Sequence, residues 1–94
     1  MALSEYERKT IDGLLKMRNN YSREIDYLAV VESRLKERCS ILSESNDNIY
    51  IGKILSVTVD GMKKVEEALH QLLEAKEEVE KLIQMLQVYF ETDF

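Results

Sequence analysis

The chain turns once, at Ser43-Glu44-Ser45-Asn46-Asp47-Asn48. On either side of this polar stretch, apolar residues recur with heptad spacing, and the sequence contains no proline. Because proline interrupts helices more strongly than any other residue, both tracks are free to form long helices. We therefore predict an all-α fold, an antiparallel two-helix hairpin that forms a single domain over residues 1–94. We expect the first helix at about 4–43, the loop at about 44–48 and the second helix at about 49–91.

The first track begins with a capping box. Ser4 is followed three residues later by Glu7, so the hydroxyl of Ser4 can accept the backbone N–H of Glu7 while the carboxylate reaches back to the N–H of Ser4. With Ile11 at heptad position a, the d positions of this track run from Leu14 to Leu42. They are without exception apolar or aromatic. Arg18 and Glu32 interrupt the a positions, and each is a candidate to set the register or to pair with a partner chain.

The second track carries a broader apolar stripe. With Leu55 at heptad position a, apolar residues occupy e and g positions as well as a and d. The apolar residues at e and g are Ile54, Val59, Ala68, Leu73, Ala75, Leu82 and Tyr89. A stripe two heptad positions wide serves one neighbouring helix, whereas a stripe four positions wide serves two. We therefore predict that the hairpin dimerises into a four-helix bundle, with itself or with another helical hairpin. The predicted partner interface consists of Leu55, Met62, Leu69, Leu72, Val79, Ile83, Leu86 and Phe90.

Charge and hydropathy narrow the range of partners. The net charge is −5, and residues 45–94 carry all of the excess, with five basic and ten acidic side chains. A nucleic-acid surface needs clustered lysine and arginine, so we expect no nucleic-acid partner. The acidic second track is a solvated outer face or an acidic docking surface. The longest apolar run, at 27–31, is too short to span a bilayer, so we expect no membrane insertion.

The sequence offers little that indicates catalysis. Glu67 and His70 have the spacing of a di-metal helix motif, but Leu69 takes the seam position and turns both outward. The carboxylates at 74–80 fall mostly outside the seam, and no phosphate loop or Cys/His cluster is present. We expect no enzymatic activity, no metal site and no cofactor. The single cysteine, Cys39, lies on the seam, as a small buried hydrophobe or as one end of a disulfide across a dimer.

Two short motifs remain after these exclusions. Tyr50-Ile51-Gly52 lies at the hairpin tip, where the glycine allows backbones to approach and the ring can cover the end of the bundle. This motif is either an end-cap or a recognition site. Near the C-terminus, Tyr89 and Asp93 are one helical turn apart and share a face, so both can be presented to a receptor.

An aromatic-x-Gly tip and a Tyr-x-x-x-Asp tail on a hairpin of this size resemble the WXG100 (ESX) family of type VII secretion. Tyr50 stands where the family carries tryptophan, so the resemblance is to a divergent member. It implies a small protein made in the cytoplasm and secreted without a cleavable signal peptide, or one that guides a larger effector to the secretion machinery. It further implies a composite export signal, with Tyr50 and Gly52 of one chain beside Tyr89 and Asp93 of another in an antiparallel bundle.

Two other functions fit the same pattern. A cytoplasmic helical chaperone or adaptor, for instance for type III secretion components, would cover a client helix with its seam and would not depend on the tail. A structural coiled-coil subunit would be partly unfolded or polydisperse when alone in solution. An effector domain is a further candidate partner under the type VII interpretation.

Overall fold

The computed structural model of the chain describes residues 3–44 and 48–90. It consists of two helices, α1 over Glu5–Glu44 and α2 over Ile49–Phe90, which lie side by side in a rod of 70 × 16 × 14 Å. The predicted all-α helical hairpin is confirmed. Pairing of two hairpins into a four-helix bundle stays a prediction.

Both helices begin with side-chain caps. The Ser4 hydroxyl accepts from the Glu7 N–H at 3.1 Å, and the Glu7 carboxylate accepts from the Ser4 N–H at 3.4 Å, which confirms the capping box. At α2 the side-chain oxygen of Asn48 accepts from the N–H of Tyr50 at 2.8 Å. Asn48 therefore serves as the N-cap of α2 and ends the turn.

The seam between the helices follows the predicted heptads. With Ile11 and Leu55 at position a, every a and d residue from 11 to 42 and from 51 to 90 is buried or half-buried. Two of the charged residues within the seam pair with a residue of their own helix. Glu32 pairs with Lys36 at 3.4 Å, and Lys76 pairs with Glu80 at 3.8 Å. Each i, i+4 pair gives the charged seam residue a partner of opposite charge on its own helix.

The well-covered part of the seam lies near the chain ends. Within the described residues, the buried apolar side chains are Ile11, Val79 and Ile83, at 4%, 5% and 4% exposure. We call residues 5–24 and 70–90 the base half of the rod, and residues 25–44 and 48–69 the tip half. All three buried residues lie in the base half. A single hairpin thus has only a thin core, as expected when each helix covers one side of the other.

Candidate functional site

A large number of apolar side chains remain exposed on this hairpin. The exposed large hydrophobic residues are Tyr6, Met17, Tyr27, Val30, Ile41, Ile49, Tyr50, Ile54, Val57, Leu73, Leu82, Met85, Val88 and Tyr89. Scattered single residues of this kind are normal on a surface, whereas a contiguous patch indicates a binding site. Their distribution over the two sides of the rod is therefore decisive.

The exposed hydrophobic residues gather on one side. When two heptad helices run antiparallel, the g positions of both flank the same edge of the seam, with the c positions just beyond them. Ten of the fourteen exposed residues occupy these positions, which we call the c/g face. They are Tyr6, Met17, Tyr27, Ile41, Tyr50, Ile54, Val57, Leu82, Met85 and Tyr89.

Two open grooves confirm that α1 and α2 meet along this face. Near the tip, Ile54 of α2 lines a groove together with Arg38 and Ile41 of α1. Near the middle of the rod, Leu72 of α2 lines a second groove with Glu24 and Tyr27 of α1. In both places the c and g side chains of α1 stand beside residues of α2. At both places, this side of the rod is therefore built from both helices.

The opposite side of the rod, made of the e and b positions, is mainly polar. Only two of the exposed large hydrophobic residues lie there, Leu73 at an e position and Ile49 at a b position. The remaining two, Val30 and Val88, occupy f positions, which point away from the seam. From residue 56 onward the b positions of α2 are all polar, among them Lys63, Glu77 and Gln84. The two sides of the hairpin thus differ sharply in their affinity for water.

The residues of the predicted partner interface lie in the seam of this single hairpin. Val79 and Ile83 are buried there by α1, so they have almost no surface left to offer a second chain. The others are half-buried, namely Leu55, Met62, Leu69, Leu72, Leu86 and Phe90. Their role toward a partner stays a prediction. The surface that is free to bind is instead supplied by the neighbouring c and g positions.

The tip motif is presented to solvent. Tyr50 is 70% exposed, in the first turn of α2, and its ring does not cover the end of the seam. Gly52 is part of the helix, and a Cβ placed there would meet nothing within 4 Å. The suggestion that Gly52 permits a close approach of backbones therefore does not apply within one hairpin. Both residues remain available to a second molecule.

The tail motif is only partly described. Tyr89 is 79% exposed in the last turn of α2, and its ring contacts Phe90 edge-on, with 5.1 Å between ring centroids. Asp93 lies outside the described residues. Tyr50 and Tyr89 are 39 positions apart on one helix, a separation of about 58 Å at 1.5 Å per residue. One chain therefore cannot bring its own tip and tail together.

The titratable residues are arranged as a solvated surface. Glu67 faces outward, and His70 contacts Glu74 one turn further on, with 2.9 Å between Nε2 and Oε1. Among the residues that the structure describes, no three His, Cys, Asp or Glu side chains gather as a metal site would require. Neither described helix holds an apolar segment long enough to cross a bilayer. The chemistry that this surface offers is apolar binding with charged margins.

Comparison with known proteins returned no match, whether to family models, to curated proteins or to solved structures.

Sequence reasoning missed the c positions of the face. Tyr27, Ile41, Val57 and Met85 are absent from the predicted partner interface, and Tyr50 is named there only as a tip motif, because the predicted stripe extends no further than positions a, d, e and g. The signal was present, since apolar residues at c recur on both tracks. The g positions of two antiparallel helices lie side by side, with the c positions just beyond them. This geometry places the apolar c residues of both helices on one side of the rod.

Proposed function

We propose that this chain is a non-enzymatic helical hairpin that pairs with another helical hairpin and acts in type VII secretion. In that role it is exported itself or guides a larger partner to the secretion machinery. The observation that supports pairing most strongly is the c/g face, which extends from Tyr6 and Tyr89 at one end of the rod to Ile41 and Tyr50 at the other. A long face on which exposed apolar residues are concentrated is typical of a bundle that lacks its other half.

The energetics favour a helical partner. Burying ten exposed hydrophobic side chains at about 60 Å² each would gain roughly 15 kcal/mol at 25 cal/mol per Å². The loss of translational and rotational freedom costs an estimated 4–15 kcal/mol, and ordering of side chains adds to that cost. The balance leaves room for a stable but reversible complex. A straight rod with a long apolar stripe is best matched by another straight rod.

The proposal for secretion rests on the tip and tail motifs. Tyr50 and Tyr89 are both exposed, as residues that a receptor reads must be. Since they lie at opposite ends of one rod, a composite signal made from both requires two chains in opposite orientation. Pairing and export are thereby linked in the same proposal.

The chaperone or adaptor function remains the second candidate, and one observation favours it. The groove lined by Glu24, Tyr27 and Leu72 runs between the two helices, where one client helix could lie. A client bound in this way would be held by the face alone. Loss of the tail would then leave the complex intact.

Export of tail variants separates these functions. In a bacterium whose type VII system exports the unmodified chain, Tyr89→Ala and Asp93→Ala should each reduce the exported fraction at least about tenfold, because every tenfold loss needs only about 1.4 kcal/mol of receptor binding. Val88→Ala is the matched control, since Val88 is an equally exposed neighbour outside the motif. Circular dichroism should show unchanged helicity for all three. Normal export of both motif variants would refute the secretion role.

Gly52→Ala tests the tip without disturbing the fold. Because nothing lies within 4 Å of the added methyl group, this variant should fold at least as well as the unmodified chain. Under the secretion proposal its export should nevertheless fall. Ser56→Ala is the control, since Ser56 is exposed at a b position of α2, on the polar side of the rod and outside the motif.

A further inference from the structure

We propose that the tip half of the c/g face is a binding site for one acidic amphipathic helix of another protein. This inference rests on the proposed function, because it gives the chemistry of a helix that a partner lays on this face. It is carried by the charges of the tip half, by a groove between α1 and α2 and by the thin core beneath that groove. We call the site the tip patch, and its residues are Arg34, Arg38, Ile41, Ile54, Val57 and Lys64.

The charges on the c/g face are divided between its two halves. In the tip half, the charged side chains at described c and g positions are Arg34, Arg38 and Lys64, all basic. In the base half they are Glu24 and Glu78, both acidic. The chain carries a net charge of −5, yet this end of the face is positive. The tip patch therefore attracts acidic groups that the molecule as a whole repels.

The three cations of the tip patch are free to bind. All three are exposed, and none has an ion-pair partner among the residues that the structure describes. Lys36, which lies between the two arginines on α1, is by contrast paired with Glu32. Arg34 and Arg38 are one helical turn apart, and each guanidinium can donate two hydrogen bonds to a carboxylate. Two acidic residues one turn apart on a partner helix would match them.

An apolar groove lies beside these cations. It has a volume of about 530 Å³, which is within the usual range for binding sites. The residues that line it are Arg34, Glu37, Arg38, Ile41, Leu42 and Ile54. Three of these side chains are aliphatic, and two arginines against one glutamate leave the lining positive. A segment that fits this groove must therefore combine apolar with acidic side chains.

The walls of the groove favour a helix over an extended peptide. They belong to two α-helices, whose backbone N–H and C=O groups bond within each helix. An extended segment would find no sheet edge here to pair with its own backbone. A third helix satisfies its backbone internally and can pack between α1 and α2. Ile54 and Lys64 are ten residues apart, about 15 Å along α2, so a helix of about three turns covers the patch.

The tip half also has the apolar surface that such a helix would cover. No residue that the structure describes in the tip half is buried, whereas the base half has three buried residues. Ile41, Ile54 and Val57 are each more than half exposed. Because a contact of three helical turns is small, we expect a reversible complex with a Kd on the order of 10 μM.

Two synthetic peptides test the predicted charge of the partner. Both have about 18 residues with leucine at i, i+3, i+4 and i+7, and the flanking positions carry glutamate in one and lysine in the other. In fluorescence anisotropy the glutamate peptide should bind the hairpin at least about tenfold more tightly. The net charge of −5 would favour the lysine peptide, so this preference can arise only from a local site. Equal binding, or preference for the lysine peptide, would overturn the proposal.

Charge reversal locates the site. Arg34→Glu combined with Arg38→Glu should lower the affinity for the glutamate peptide at least about tenfold. Lys16→Glu combined with Lys63→Glu is the matched control, since it changes the net charge equally at exposed f and b positions outside the face. Its affinity should fall less than about threefold. Circular dichroism checks the helicity of both, and equal losses of affinity would show that the tip patch is not the site.

The apolar part of the groove has its own pair of variants. Ile54→Ala should weaken binding of the glutamate peptide about fivefold, because Ile54 lines the groove. Ile49→Ala is the control, since this exposed isoleucine lies at a b position outside the c/g face. An unchanged affinity for Ile54→Ala would contradict docking in the groove, even if the charge variants behaved as expected.

Export of Tyr89→Ala separates this inference from the proposed function, because Tyr89 lies at the other end of α2 from the tip patch. If the glutamate peptide fails to bind while Tyr89→Ala blocks export, the inference is wrong and the secretion role stands. If the peptide binds through Arg34 and Arg38 while Tyr89→Ala is exported normally, the secretion role is wrong. The tip patch is then a site for acidic helices in the chaperone or adaptor function.

Discussion

The base half and the tip half of the hairpin use the same heptad pattern and obtain different cores from it. In the base half, the seam residues at 11–14 and 79–90 are all aliphatic or aromatic and three of them are buried, while the charged Arg18 and Lys76 occupy a positions nearer the middle of the rod. Toward the turn, the corresponding positions include Glu32, Cys39 and Thr58, and no residue that the structure describes there is buried. Register alone therefore does not make a core. The volume and polarity of each seam residue decide how much water is excluded.

If the hairpin pairs as proposed, this difference makes the partner matter most at the tip. An antiparallel neighbour would lay the well-packed base of one hairpin beside the poorly packed tip of the other. Each tip would then gain apolar cover that its own chain does not provide. Four measurements test this difference between the two halves.

Truncating one large side chain in each half should give the largest effect. Ile83→Ala in the base half should lower the free energy of unfolding by about 3 kcal/mol, because it leaves a cavity beneath a 4%-exposed residue. Leu55→Ala, at the same heptad position in the tip half, should cost about 1–2 kcal/mol, since the side chain is only half-buried. Urea denaturation at one fixed protein concentration measures both. Equal losses would show that the halves are equally well packed.

Hydrogen exchange should reveal the same gradient in the unmodified protein. Amides at 34–42 and 51–60 should exchange on the order of 10–100-fold faster than those at 11–20 and 76–86, because local opening is easier where fewer apolar groups are buried. Raising the protein concentration should slow exchange in the tip half if a second copy covers it. Uniform exchange along both helices would contradict the comparison.

A polar seam residue in the tip half offers a stabilising substitution. Thr58 occupies a d position, and its hydroxyl donates to the Ile54 carbonyl at 2.7 Å. Thr58→Val should raise the free energy of unfolding by about 1 kcal/mol, since a methyl group would replace the hydroxyl against α1.

Thr10→Val is the matched control for that change. Thr10 is exposed, and its hydroxyl makes the same kind of bond, to the Tyr6 carbonyl at 3.0 Å. Its replacement should change stability by less than about 0.5 kcal/mol. If the two variants shifted the melting temperature equally, the position of Thr58 in the seam would not explain the gain in stability.

The two helix caps should give the smallest effects. Ser4→Ala and Asn48→Ala each remove a side-chain acceptor for a backbone N–H, at a cost of about 0.5–1 kcal/mol. Ser4→Ala should raise exchange only at the start of α1, while Asn48→Ala should raise it around the turn. Exchange mapped by mass spectrometry checks both. A global loss of protection from either change would mean that the caps act on the whole hairpin.

Much of this architecture could be predicted from the sequence. Local and periodic features can be recognised without the three-dimensional structure, and they include the two tracks without proline, the capping box at Ser4 and Glu7, and the a and d positions. The function was less accessible. Tyr50 and Tyr89 could be named as motif residues, but whether a ring covers the bundle end or faces solvent depends on packing, and the structure places both in solvent.

The hairpin follows from the sequence alone, because helix period, the lack of proline and a single polar break leave a chain of this length little else to form. How far each apolar side chain is covered follows only from the packing of the two helices. The antiparallel approach of α1 to α2 puts their g positions side by side, and that geometry gathers Tyr27, Ile41, Ile54 and Met85 onto one face. No single helix contains that information, since the face exists only between two.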